Sequence, residues 1–228
     1  MRILRLVLVA TQLACFAPEQ PPLTGRSETF ELGAKNIDDV FQIFVRLPPE
    51  YDADPAREFP LVVQLDANLP VLEEFKVAAG FASRHEAEGA LPPCIVVGVG
   101  YRTAELATKH RFRDYGLPLE PNVRELWSSV LDGQGARFYD FLRDELLAEV
   151  GRRYRIAPAS HRALSGHSLG GFFVLYALTR HDEAPVFGSY LAASPSIWWN
   201  DAQVLKLWRD FAGPVRPASL FTAAGELE

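Results

Sequence analysis

A chain of 228 residues, 48% hydrophobic and 23% charged, is long enough for one large domain with a substantial core and does not demand a second. Its 23 basic and 29 acidic residues give a formal charge of -6, and the basic side chains are mostly scattered arginines, which argues against a nucleic-acid partner. Two cysteines, Cys15 and Cys94, imply no disulfide framework, and no stretch after the N-terminal segment approaches the ~20 apolar residues of a membrane span.

In chain order, Met1, Arg2 and Arg5 precede an apolar stretch running from Leu6 to Ala17, where small Cys15 and Ala17 suit signal-peptidase cleavage. Residues 1–17 are expected to be a signal peptide, directing the protein to the periplasm or the exterior; a buried first strand in a cytoplasmic protein is the alternative. Pro18, Pro21, Pro22 and Gly25 mark residues 18–27 as a linker, leaving 28–228 as the folded domain. Seven β-rich runs follow, at Thr29–Leu32, Val40–Leu47, Leu61–Leu65, Cys94–Val99, Arg162–Gly166, Phe187–Ala192 and Leu220–Ala223. Several are continuously apolar, as strands covered on both faces are. Phe138, Phe141, Leu142, Leu146 and Val150 recur at helical intervals between the fourth and fifth runs. Tyr101–Gln134, rich in Arg, Trp and Pro, is expected to be an irregular insertion lining a binding site. The pattern predicts an α/β fold, a mostly parallel sheet flanked by helices.

The most informative segment is Gly166-His167-Ser168-Leu169-Gly170, between a strand-like run and the apolar stretch Phe172–Leu178. A G-x-S-x-G sequence in that setting is a nucleophile elbow: serine on a strained strand-to-helix turn, with glycines two residues either side relieving the crowding. Ser168 is therefore the expected nucleophile, and Leu169 N–H, at the start of the helix, an expected oxyanion donor. His167, adjacent at a sharp turn, is expected to pack locally rather than serve as the base.

Leu65-Asp66-Ala67-Asn68, Arg111-Phe112-Arg113-Asp114-Tyr115, the elbow and Ser194-Pro195-Ser196-Ile197-Trp198-Trp199 occur in the same order as in a family of the α/β-hydrolase superfamily. Together they resemble the esterase family that includes the enterochelin and salmochelin esterases, esterase D and the antigen 85 mycolyltransferases. The resemblance implies an α/β-hydrolase fold, ester hydrolysis through an acyl-enzyme on Ser168, and no metal or organic cofactor. It also implies a second oxyanion donor from the loop after the third strand, with Ala67 N–H the candidate and Asn68 next. In such enzymes the acid follows a late strand and the histidine lies beyond it. Glu228 is the expected acid, with Glu226 the alternative.

All five histidines, His85, His110, His161, His167 and His181, precede that acid. The expectation is a chain truncated before its last strand, with a diverged pseudoenzyme or a base recruited from His110 as alternatives. Arg111 and Arg113 would favour an anionic ester and Trp198 and Trp199 an aromatic one, so a small-molecule siderophore lactone is the favoured substrate. Acyl transfer, or ligand binding without catalysis, are the competing readings.

Overall fold

The apolar runs become strands. The computed structural model describes residues 23–70, 73–126, 132–180, 185–211 and 218–224. Within them β1 (Arg26–Ala34), β2 (Asp39–Leu47), β3 (Leu61–Gln64), β4 (Ile95–Tyr101), β5 (Arg162–His167), β6 (Ser189–Ala193) and β7 (Ser219–Ala223) form one sheet in the order β1-β2-β4-β3-β5-β6-β7. β1 and β2 form an antiparallel hairpin, β2 meets β4 antiparallel, and β4, β3, β5, β6 and β7 run parallel. Every residue of β4 is buried, which explains its unbroken apolar sequence. The parallel strands end at a common carboxyl edge, where such folds place their ligands.

Helix α1 (Glu74–Ala87) covers one face of the sheet through Phe75, Ala79 and Ala82, which pack with Ala67, Cys94 and Val96. The opposite face carries the main core, including α2 (Ala104–Tyr115), α4 (Gly135–Asp140), α5 (Leu147–Arg153) and α6 (Leu169–Thr179). A short α3 (Pro121–Leu126) precedes α4, and α7 (Trp199–Asp210) follows β6. Between α4 and α5 the chain makes a π-helical turn, Phe141–Leu146, so the helix predicted over 138–150 is continuous but locally widened. Phe41, Phe138, Phe141, Tyr115 and Phe173 interlock in this core, with Phe41 and Phe141 centroids 4.7 Å apart and Phe138 and Phe173 5.1 Å apart.

Two expectations need correction. The insertion is not irregular: α2 occupies 104–115, capped by Thr103, whose side chain accepts the Leu106 N–H at 3.2 Å. Its period was hidden because two of its inward-facing residues, Arg111 and Asp114, are charged side chains held by ion pairs. The fold also starts before residue 28, since Thr24 accepts hydrogen bonds from Arg46 through its carbonyl and hydroxyl and β1 opens at Arg26. Residues 1–17, the expected signal peptide, lie outside the described residues.

Arg46 explains that early start. Its fully buried guanidinium on β2 faces Glu86 of α1, with Nη1–Oε1 2.7 Å and Nη2–Oε2 2.6 Å, and it also reaches the Thr24 and Cys94 carbonyls. Glu86 in turn accepts the Cys94 N–H at 2.8 Å. Burial, with the Glu86 charge beside it, pushes the Cys94 thiol up to about 12. Removing one partner of such a pair leaves the other charged and dry. Glu86→Ala is therefore expected to cost about 3–5 kcal/mol in urea unfolding, and an unchanged midpoint would contradict this account.

Candidate active site

Ser168 sits between the end of β5 and the start of α6 with φ 55 and ψ -116, a left-handed conformation that serine adopts only under constraint. The constraint comes from both sides. Its N–H donates to the Ala193 carbonyl of β6, and its own carbonyl accepts the Phe172 and Ser196 N–H groups, all at 3.0 Å. A Cβ at position 166 would lie 2.5 Å from the Gly170 carbonyl oxygen, so the elbow closes only with glycine there. As the first residue of α6, Leu169 has an N–H without an intrahelical acceptor.

A cavity of about 650 Å³ opens beside the serine, lined by His167, Ser168, Ser194, Ser196, Trp198 and Thr222 among others. Trp198 is 65% exposed and lines this cavity. Trp199 does not join it. It is 2% exposed and packs into the core, its ring centroid 5.4 Å from that of Phe112, so the substrate-binding role expected for Trp199 is corrected. The chain turns sharply here, with positive φ at Asn200, Asp201 and Ala202, and leaves Trp198 outside while Trp199 enters the core.

The β3 loop behaves differently from its sequence expectation. Asp66 also has a positive φ of 55, and this turn sends the Ala67 N–H back to the Val99 carbonyl of β4 at 3.1 Å. That N–H is engaged inside the fold and cannot serve an oxyanion, which corrects the assignment of Ala67. Asn68 follows, fixed by its side chain: Nδ2 donates to the Tyr101 carbonyl at 2.5 Å, and Oδ1 accepts the Tyr101 N–H at 2.9 Å.

Both candidate arginines are already paired. Arg111 forms a bidentate fork on Asp66, Nε–Oδ1 3.0 Å and Nη2–Oδ2 2.8 Å, and the Asp66 side chain is only 2% exposed. The Asp66 N–H donates to the Tyr115 hydroxyl at 3.0 Å. Burial alone would lower the Arg111 pKa, but the Asp66 hydrogen bonds and charge outweigh it and raise it. Arg113 bridges Asp114 and Asp39 at 2.7 and 2.6 Å, and Asp114 also accepts the Tyr101 hydroxyl at 2.9 Å. Although burial pushes Asp39 upward, hydrogen bonds from Arg113, the Val40 N–H and His110 hold its carboxyl below the ordinary value. These arginines fasten α2 to the sheet, so the anion-binding role expected for Arg111 and Arg113 is corrected.

His110 belongs to the same cluster, its Nδ1 2.8 Å from Asp39 Oδ2. Asp39 opens β2, and β4 and β3 lie between β2 and β5. Three strand spacings, about 14 Å, separate that end of the sheet from the elbow, which removes His110 as an alternative base. His167 lies beside Ser168 with Nδ1 3.5 Å from Glu74 Oε1. Glu226, Glu228 and His181 lie outside the described residues.

Sequence reasoning missed the partner of the serine hydroxyl: Ser168 Oγ lies 3.2 Å from Ser196 Oγ. The available signal was a Ser-Pro-Ser segment immediately after β6, at the carboxyl edge beside the elbow strand.

With this geometry established, similarity to known proteins becomes informative. The family model described as "Putative esterase" matches residues 34–216. The chain is a member of this esterase family. It stands with carboxylic ester hydrolases. The ferri-bacillibactin esterase BesA of Bacillus subtilis (strain 168) is 32% identical over 213 residues, covering 89% of this chain and 71% of that protein. Among solved structures, the siderophore hydrolase EstB of Aspergillus nidulans superposes with a TM-score of 0.72 at 28% identity, over 91% of this chain and 72% of that one. The BES protein of Bacillus cereus gives a TM-score of 0.71 at 25% identity, over 92% and 78%. The fold is thus the α/β-hydrolase fold of these esterases.

Glu74 gives the family elbow a measurable pH signature. Burial pushes its carboxyl above the ordinary value and the Asp66 charge adds to this, against the opposing pull of His167 and Arg111. A raised acid favours folding while protonated, and that contribution is lost as pH rises through the shifted value. Glu74→Gln, always neutral, is expected to melt higher than the wild type at about pH 7 and to lose that advantage near pH 4. A difference that grows toward acid would contradict the assignment.

Proposed function

We propose that the chain cleaves a siderophore-type carboxylic ester by attack of Ser168, forming an acyl-enzyme that water then releases. The observation that carries this reading is the strained Ser168 turn opening onto an apolar, hydroxyl-lined cavity with Trp198 at its side. Strain of this kind persists only where the surrounding structure enforces it, and here it aims a hydroxyl at a ligand-sized space. The names of the relatives, a ferri-bacillibactin esterase and a siderophore hydrolase, support the substrate class.

In this reading Leu169 N–H binds the developing oxyanion from the α6 terminus, and the main-chain N–H of Asn68 replaces Ala67 as the second donor. Trp198 stacks on an aromatic acyl or alcohol group. Glu228 stays the proposed acid. An imidazole must accept the serine proton. Four histidines are described, and each has another neighbour: His85 Nδ1 is 3.0 Å from Glu88, His110 is on Asp39, His161 Nδ1 is 3.0 Å from Ser160, and His167 faces Glu74. The reading therefore assigns the base outside the described residues. Export by cleavage after Ala17 is part of the same proposal, and the intact mass of the protein recovered from a periplasmic fraction checks it.

A fluorophosphonate probe tests the nucleophile. Labelling is expected on Ser168 and is expected to vanish in Ser168→Ala; a folded wild-type protein that stays unlabelled would instead favour ligand binding without catalysis. For specificity, Trp198→Ala is expected to raise KM for an aromatic siderophore ester by about tenfold, with a smaller effect on an aliphatic ester, in steady-state assays.

A further inference from the structure

We infer that Ser196 is a second hydroxyl of the reaction centre: it donates a hydrogen bond to Ser168 Oγ, fixing the nucleophile's rotamer and stabilising the charge that develops as it attacks. This rests on the reading of Ser168 as nucleophile and adds a residue to it.

The backbone of Ser196 is held from both sides. Its N–H donates to the Ser168 carbonyl at 3.0 Å, and its own carbonyl accepts the Trp199 N–H at 3.0 Å. The preceding Ser194, with a positive φ of 40, is tied to β7 by its N–H on the Ala223 carbonyl. Helix α6 closes on the same loop so tightly that a Cβ at position 171 would lie 3.0 Å from both the Ala193 carbonyl oxygen and Pro195 Cα. With its main chain locked, Ser196 is buried and keeps only rotation of its side chain, and Oγ rests 3.2 Å from Ser168 Oγ. Ser196 thus grips the nucleophile at two points, the carbonyl and the reactive oxygen.

The direction of the hydroxyl pair follows from valence. Each hydroxyl has one proton and two lone pairs. As Ser168 Oγ bonds to the ester carbonyl carbon, its O–H bond breaks and the proton passes to an imidazole base. The carbonyl π electrons move to the oxyanion. Ser168 cannot give the same proton to Ser196, so Ser196 is the donor of the pair and retains its proton throughout. One Ser168 lone pair is held by Ser196 while another attacks. A preorganised donor of this kind strengthens as charge builds and needs no reorganisation during the step. Once Oγ has become an ester oxygen it accepts weakly, and the Ser196 hydroxyl is released toward the cavity that Ser196 also lines.

The test compares Ser196→Ala with Ser196→Thr, which keeps the hydroxyl. The rate of Ser168 labelling by a fluorophosphonate and the kcat and KM for a p-nitrophenyl ester are measured on each, alongside thermal melts. Ser196→Ala is expected to slow labelling and lower kcat by about tenfold to a hundredfold with KM little changed, and Ser196→Thr to recover most of the loss. A purely structural role would depress the melting temperature without a kcat-selective loss restored by threonine. Wild-type labelling at Ser168 together with equally fast labelling of Ser196→Ala would overturn the role of Ser196 and leave that of Ser168 standing. Absence of label from Ser168 in the wild type would overturn both.

Discussion

Strand β5 and helix α6 meet so closely that the position of a Gly166 Cβ lies 2.5 Å from the Gly170 carbonyl oxygen, and the rest of the site is arranged around that contact. Because the two backbones touch, the connecting residue has no room for an ordinary conformation, and Ser168 is driven to φ 55. Three main-chain hydrogen bonds to β6, α6 and the Ser196 loop then keep it there. The parallel packing of β5 on β6 is what makes the Ala193 carbonyl available to Ser168. Sheet register thus sets where the Ser168 main chain stands.

Charge plays a different part from the one a basic cluster first suggests. Arg111 and Arg113 carry α2 across the carboxyl edge of the sheet and are neutralised on arrival by Asp66, Asp114 and Asp39. The Asp66 fork reaches close to the elbow, since a Cβ at position 170 would meet Asp66 Oδ2 at 3.2 Å. With its carboxylate gripped by Arg111 and its N–H by Tyr115, the β3 loop is fixed at both ends of one residue. A buried ion pair is a weak source of net stability but a strong constraint on geometry, because breaking one side leaves an uncompensated charge. Neither arginine lines the cavity beside Ser168, where Trp198, Ile197 and serine and threonine hydroxyls stand instead.

The sheet was legible because apolar periodicity is a local property, and all seven runs that read as strands are strands. The elbow was legible for a related reason: strain of this type has few sequence solutions, and glycine at 166 and 170 announces it. Helix α2 was not legible because its core-facing side includes charged Arg111 and Asp114, and because Asp66 and Asp39, the partners of Arg111 and Arg113, lie far away in sequence. Nothing local indicates that a charge will be neutralised by another strand. The Ala67 N–H failed for the same kind of reason, its acceptor on β4 being fixed only by the register of β3 against β4. Trp198 and Trp199 were indistinguishable as letters, and the irregular turn that leads into α7 leaves one exposed and the other buried.

Ser196 shows how such non-local placement adds chemistry. Its segment follows β6, and parallel pairing of β6 with β5 brings the ends of the two strands side by side, His167 against Ala193. Each strand then hands its next residues to the same point on the carboxyl edge, where the loop after β6 donates a hydrogen bond to the Ser168 carbonyl and places a hydroxyl beside Ser168 Oγ. A serine there is held by the same strand pairing that strains Ser168, so conformational strain and hydrogen-bond support at Ser168 have one structural origin. Any change that shifted β6 relative to β5 would remove both together, which ties the chemistry of the site to sheet register more tightly than to any single side chain.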